Sequence, residues 1–585
     1  MKNRVLIVVA LLLSTFGLFA ENISVDMAKK RAMDFFKSNA SALSVSRLDM
    51  VYDGSGNMAR TSSQAPALYV FDNPDGKGFV IVSGDDIAYP ILGYSFEFDF
   101  PQENIPPHVA WWLRGMEERI DYGRKTGWEP AITPKQASDN IGSVVKKLKT
   151  ALWDQGYPYN KLIPKYNGQS CYVGCTATAT AIVMGYHQYP TKGSGTLPSF
   201  TTSKYSINVP SITLGHTYAW NKMLDNYNGS YTTENADAIA RLMMDVACGL
   251  QSDFTPSGTG AYSSDIPALL QDHFGYDKGA VQQNRWYYSN DSWTSMIKDE
   301  LDKNRPVLYT GFNDDSGHAF VLDGYTTEDY FSVNWGWSGY CNGYFLLDAL
   351  VPSGSGSGGN NDHYNFNQGC VLGLIPDAGG DYVVKLSFGE PGLSTNVTDI
   401  VTGESFIVYT NGVHNIGNAD FVGDISCVLV NEDGDFKETL YTLTRTDANP
   451  FKPNYWMPSL QFNVTITSNI KTGDRIRVYY KPKGTDGWIM MDGGEECVNE
   501  LVLTAPKTIS ESTKVTFNKT NEQVVVYTKS GVTVKLFASN SSDYSSYCDT
   551  KGKVTTIDTK ALPAGTYTIK LTDAKESVSL KIKVN

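Results

Sequence analysis

The sequence predicts a protein of two characters, α+β as far as about Pro376 and all-β beyond Gly379. Three observations carry that expectation. Helix-period and strand-period stretches mix through the amino-terminal part, whereas runs at 383–387, 404–410 and 475–480 are short and alternate with period two. Turn clusters such as Asn431-Glu432-Asp433-Gly434-Asp435 separate those runs, which is the pattern of sandwich-like modules. The composition, with 35 Tyr and 53 Gly in 585 residues and only 19% charged side chains, suits an exported, strand- and turn-rich chain. At roughly 150 residues per domain the length predicts three to five units.

The elements follow in order. Residues 1–20 read as a secretory signal peptide: Lys2 and Arg4, an apolar run at 5–13, then small residues ending at Ala20. That run is shorter than the roughly 20 residues a spanning helix requires, so no transmembrane span is expected. The next unit, 21–138, opens with a helical pattern at 23–36. Strands follow at 67–71 and 79–83, split by the turn Asn73-Pro74-Asp75-Gly76, and then a helix at 110–120. A Pro- and Lys-containing stretch at 130–139 reads as a linker. A third unit spans 139–377, and within it 353–361 (Ser-Gly-Ser-Gly-Ser-Gly-Gly-Asn-Asn) reads as a loop placed where an active-site loop would be. Two β-sandwich-like modules, 378–505 and 506–585, complete the chain.

Charge and motifs exclude several function classes. Lys+Arg 49 against Asp+Glu 62 leaves −13, which argues against a nucleic-acid partner. The seven histidines, at 108, 187, 216, 273, 318, 363 and 414, form no zinc-peptidase pair, and the eight cysteines form no CxxC. No serine-nucleophile elbow and no phosphate-binding loop occur. No cofactor and no metal is expected. The acidic turn at 431–435 is a weak calcium candidate, and a plain hairpin turn explains it better.

What remains is a thiol. Cys175 follows Gly174 and opens a run of small residues, Cys175-Thr176-Ala177-Thr178-Ala179-Thr180-Ala181, that continues to His187 before Tyr189-Pro190 ends it. This predicts a buried helix whose N-terminal dipole lowers the thiol pKa from about 8.5 and favours the thiolate. His187 lies twelve residues along that helix, about 18 Å away, and cannot serve as its base. His318 is better placed, because it starts a strand (318–325) that returns over 330–335. Centring the hairpin between Thr327 and Glu328 sets His318 opposite 337, give or take two, so Asn334 and Trp335 fall beside it as orienting groups. Gln155, in Trp153-Asp154-Gln155-Gly156, offers an amide for the oxyanion of a tetrahedral intermediate.

Four segments resemble the streptopain family: Trp153-Asp154-Gln155-Gly156-Tyr157-Pro158-Tyr159-Asn160, Gly174-Cys175-Thr176-Ala177-Thr178-Ala179, Gly317-His318-Ala319-Phe320-Val321-Leu322-Asp323-Gly324 and Val333-Asn334-Trp335-Gly336-Trp337-Ser338-Gly339. The resemblance covers about 21–377, with Gly78-Phe79-Val80-Ile81-Val82-Ser83 in the pro-segment. It implies a papain-like two-lobe cysteine peptidase domain preceded by an α+β inhibitory pro-domain. It also implies Cys175 as nucleophile, His318 as general base then acid, Gln155 as oxyanion donor, and Trp335 with Asn334 as the orienters of His318. The partners implied are protein or peptide substrates and the chain's own pro-segment, with release near 134–142. Cys171 departs from the family pattern; it either pairs with Cys341 or Cys370 or is simply buried. The far carboxy terminus, from Ala561 to Asn585, resembles the sorting β-domain of Bacteroidota-type exported proteins, and a plain accessory sandwich fits nearly as well. Two rival functions remain open, a catalytically silent surface adhesin and another thiol chemistry such as a transglutaminase or an amidase.

Overall fold

In a computed structural model of the chain, the residues described are 22–40, 45–54, 65–127, 141–288, 290–312, 317–348, 368–458, 460–493, 497–505, 508–529 and 531–585. The signal peptide, the linker at 130–139 and the glycine-rich loop at 353–361 lie outside them.

The pro-segment begins with helix α1 (Val25–Asn39), whose first turn is capped by the Ser24 hydroxyl accepting from the Met27 amide at 3.3 Å. Strands β1 (Asp49–Tyr52), β2 (Leu68–Asp72), β3 (Phe79–Ser83) and β4 (Ile91–Ser95) follow. Helix α2 (Pro107–Thr126) starts on a proline at its first position and stops at Gly127 in the left-handed region, φ 66°. It is longer at both ends than the 110–120 pattern: its buried face begins at His108 and Val109 and reaches Gly123.

The peptidase unit contributes strand β5 (Val144–Lys147) and helices α3 (Cys175–His187), α4 (Thr233–Gly249) and α5 (Ile266–Phe274). Strand β6 (Val281–Asn284), helix α6 (Asn290–Asp302) and strands β7 (Val307–Phe312), β8 (Gly317–Thr326), β9 (Phe331–Asn334), β10 (Gly343–Phe345) and β11 (Gln368–Leu372) complete it. One lobe packs α3, α4 and α5 around a core that includes Met184, Leu242, Val246 and Phe274. The other lobe is a sheet, and the pro-segment belongs to that sheet. The strand order is β1-β2-β3-β4-β10-β9-β8-β7-β11-β6, with β5 alongside β8, so pro-segment and peptidase share eleven strands and one core.

The seam is β4 on β10, antiparallel, with Gly93 opposite Phe345. A Cβ at Gly93 would sit 2.7 Å from Phe345 Cδ1, so only glycine lets the two strands lie flush. Hydrogen bonds extend the seam: Leu346 N to Leu92 O (3.0 Å), the Tyr330 hydroxyl to Ile91 O (2.7 Å) and Trp112 Nε1 to Leu346 O (3.1 Å). Arg119 pairs with Asp348 at 3.2 Å. Phe345, fully buried, touches the rings of Phe79, Trp112 and Trp335 at 6.1, 5.0 and 5.2 Å.

Beyond Gly379 the described elements are strands apart from two short helical turns, as the alternation indicates, and they enclose two further cores, one over 386–503 and one over 509–571. The acidic stretch at 431–435 is the hairpin turn between Gly423–Val430 and Phe436–Arg445, with Asn431 Oδ1 accepting from the Asp435 amide at 2.7 Å. The first module docks on the peptidase unit through Gln283 Nε2 to Ile416 O (3.0 Å) and through His414, whose ring lies 4.3 Å from Tyr287. Cys171, Cys341 and Cys370 are free thiols. Cys171 is buried in the helical lobe, whereas Cys341 and Cys370 lie in the sheet lobe's core, so the burial alternative holds and the disulfide alternatives do not. No helix among the described residues is long and apolar enough to cross a membrane.

Phe345 closes the seam between the two parts, so Phe345→Ala is expected to destabilise the precursor by about 3–5 kcal/mol, read as a lower first transition in thermal or urea denaturation.

Candidate active site

Helix α3 runs over the residues expected and is buried from Thr176 to Met184. Its small side chains permit that burial, and Thr180 keeps its hydroxyl satisfied by donating to Thr176 O at 2.8 Å. Gly174, at φ 98°, precedes it, and a Cβ there would meet Thr259 O at 2.7 Å. The loop 255–259 is thereby drawn against the thiol. It is a turn held by Thr255 Oγ1, which accepts from the Gly258 amide at 3.0 Å, while the Thr259 hydroxyl donates to Tyr172 O at 2.8 Å.

At the far end of α3, a Cβ at Gly185 would lie 2.4 Å from the Trp153 ring, so glycine makes the seat for that indole. Trp153 in turn positions Gln155. The Gln155 carbonyl accepts from the Val173 amide at 3.1 Å, two residues before the thiol. Asp154 holds the turn by accepting from the amides of Gln155 (2.6 Å) and Gly156 (3.0 Å) and from the Ser338 hydroxyl (2.8 Å). The Gln155 side chain is buried, and its Nε2 has no hydrogen-bond partner. A buried amide donor without an acceptor is what an oxyanion hole offers before substrate arrives.

His318 lies on β8, opposite Gly311 of β7. The return strand pairs Val321 with Asn334 and Leu322 with Val333. Both pairs sum to 655 (321 + 334, 322 + 333), the sum that a turn centred between 327 and 328 requires. Nearer the turn, Gly324 pairs with Ser332 and Tyr325 with Phe331, one residue out of that register, and a bulge between Leu322 and Gly324 makes up the difference. The orienting contacts drawn from the expected register differ from those in the structure. Asn334 donates to Thr150 Oγ1 (3.0 Å) and Ala151 O (2.9 Å) and accepts from the Gly336 amide (3.2 Å). Trp335 donates to Cys341 O (3.0 Å), with its ring 4.7 Å from Phe320. Both side chains tie β9 to its surroundings and not to the imidazole, because β9 ends at Asn334, three residues short of the position facing His318.

Two rings that stand against His318 come from the pro-segment. The His108 ring lies 4.5 Å from it and the Trp111 ring 6.1 Å. His108 is 2% exposed, and its Nδ1 accepts from the Trp337 indole at 2.8 Å. One ligand-type atom from each of His108, Cys175 and His318 lies within 4.8 Å of the other two. His108, Trp111 and Trp337 were missed in the sequence. The signal available was the spacing of 108, 111 and 112, which sets an imidazole and two indoles on one helical face.

This burial reverses the expectation for the thiol. Desolvation pushes the Cys175 pKa up from its ordinary 9.0, and the Ala319 amide and Thr176 pull it down by less. Desolvation lowers His318 to about 4, and it takes His108 well below its ordinary value, with the neighbouring His318 adding to the effect. Both shifts disfavour moving the proton from thiol to imidazole. The helix dipole is present, but desolvation outweighs it, and the pair stands neutral in this form.

Comparisons with known proteins agree in family. Residues 153–345 match the Peptidase C10 family and residues 20–120 the Spi protease inhibitor family. The chain is 36% identical to streptopain of Streptococcus pyogenes over 53% of its own length and 81% of that protein. It is 33% identical to the thiol protease/hemagglutinin PrtT of Porphyromonas gingivalis over 60% of this chain, and it spans only 41% of that relative's length. Among solved structures, a prointerpain A fragment of Prevotella intermedia is 33% identical, with a TM-score of 0.46, over 56% of this chain and 99% of that one.

Two outcomes follow from the geometry. In the full-length precursor the rate of Cys175 alkylation by iodoacetamide is expected to keep rising with pH beyond 9.0, because the folded thiol titrates above that value, whereas the processed chain should level off at lower pH. A Cβ at Gly311 would meet the Trp111 ring at 2.1 Å. Gly311→Ala is therefore expected to unseat α2 and speed conversion of the precursor at least about tenfold, followed on denaturing gels.

Proposed function

The chain belongs to the streptopain-like C10 family of cysteine peptidases made with an inhibitory pro-segment, and on that premise we propose that it is a secreted endopeptidase that processes its own precursor. The observation that supports this reading best is the gathering of Cys175, His318 and the pro-segment's His108 within 4.8 Å. A nucleophile, a base and a plug stand in one place.

Once α2 leaves, water reaches the pair, the desolvation that holds both groups neutral is relieved, and the proton passes from Cys175 to His318. The thiolate attacks the scissile carbonyl carbon, forming a C–S bond. The oxyanion is held by the Cys175 amide and by Gln155 Nε2, donors of a kind worth about 3–4 kcal/mol to the barrier. Collapse breaks the C–N bond as His318 gives its proton to the departing amine. Water then attacks the acyl carbon as His318 takes its proton, the C–S bond breaks to release the carboxylic acid, and His318 returns the proton to the sulfur. Asn334 and Trp335 serve this cycle indirectly, by fixing the strand behind the imidazole. The turn at 255–259 supplies one wall of the cleft. Substrates are host or environmental proteins. Export follows the signal peptide, and the carboxy-terminal modules serve sorting, attachment or accessory binding.

The decisive experiment is Cys175→Ala in the full chain. The variant is expected to remain at precursor length and to hydrolyse no casein. Casein hydrolysis by that variant, still inhibited by E-64, would overturn the assignment.

A further inference from the structure

The cluster of Cys175, His318 and His108 has a second chemical meaning besides obstruction. We propose that the precursor binds one transition-metal cation of the zinc class through these three side chains, and that the cation locks the pro-segment into the cleft. The proposal requires the three groups to stand together; it does not rest on turnover.

The donor set is one thiolate and two imidazoles. Soft and borderline cations select such ligands, whereas calcium and magnesium require oxygen. Three protein ligands with an open fourth position is an established arrangement for zinc. The three ligand atoms lie within 4.8 Å of one another. A tetrahedron with Zn–S of about 2.3 Å and Zn–N of about 2.0–2.1 Å needs edges of roughly 3.3–3.6 Å, so the atoms must close by little more than 1 Å.

An independent observation points the same way. His108 is 2% exposed, and its Nε2 makes no well-formed hydrogen bond, with only the Ala319 backbone near enough to act on the ring, although buried ring nitrogens are ordinarily satisfied. Its Nδ1 accepts from the Trp337 indole, so in the neutral ring the proton sits on Nε2. Coordination through Nε2 transfers that proton to Nδ1 and turns the indole away. Coordination through Nδ1 displaces the indole directly. Either way Trp337 loses its partner, and the Cys175 thiol releases one proton to solvent as the sulfur–metal bond forms.

The ligands come from α2, α3 and β8, which are the pro-segment helix and one element from each lobe. A bound cation therefore cross-links all three. Removal of the pro-segment leaves two ligands, and the affinity falls with it.

The test uses the full-length precursor carrying Gln155→Ala, which keeps all three ligands and slows processing, titrated with cobalt(II) and then zinc(II) under a non-chelating reductant. One cobalt per chain is expected, with a thiolate-to-cobalt charge-transfer band, intense visible absorption of a four-coordinate ion, and displacement by zinc. On that background His108→Gln and His108→Asn are each expected to weaken zinc binding at least about tenfold, as is removal of the pro-segment, and Cys175→Ser to abolish the charge-transfer band. Near-ultraviolet circular dichroism checks that the variants keep the parent fold. Absence of cobalt binding, or equal zinc affinity in the parent, the folded His108 variants and the processed chain, would overturn the proposal.

Discussion

The packing of α3 against β8 is the constraint on which the rest of the amino-terminal half depends. It sets a sulfur at the mouth of a buried helix beside an imidazole from a strand more than 140 residues later in the chain. Every supporting feature adjusts to that contact. The helix is built of Thr and Ala so that neighbours can approach it. Gly174 and Gly185 make room at its two ends for the Thr259 loop and for Trp153. Trp153 carries Gln155 to the same mouth, and Asn334 and Trp335 hold the strand behind the imidazole in place.

Latency acts on the same contact from outside. Helix α2 brings an imidazole and an indole into the space a substrate would need, and it removes the water that would stabilise charge there. The inhibition is electrostatic as well as steric. Desolvation favours the protonated thiol and the neutral imidazole. Among the described residues the cluster gathers one thiol and two imidazoles and no carboxylate.

Much of this was legible in the sequence, and the reasons are specific. The α3 boundaries follow from Gly174 and from the Tyr189-Pro190 stop, and the β8–β9 pairing at Val321 and Leu322 follows from where the turn residues fall. The all-β carboxy-terminal region follows from period-two alternation. Three things were not legible. The pro-segment pairs with the peptidase through β4 and β10, and a strand pairing across some 250 residues leaves no local trace in either strand. His108 falls outside the helix expected at 110–120, so that expectation does not set it on the face of Trp111. The direction of the Cys175 shift depends on how much protein surrounds the sulfur, which periodicity does not report; the dipole argument considered only the smaller effect.

The eleven-strand sheet also bears on timing. Because β1 to β4 and α2 are held by ladder bonds and a common interior, scission of the connecting stretch does not by itself part the two pieces. On the proposed reading a nicked chain stays silent until the severed part peels from β10, and the pace of awakening then follows an unzipping rate and not the cut. Once gone, it leaves β10 as a raw sheet border, and re-association with the freed fragment becomes a concentration-dependent brake on the enzyme it has just released.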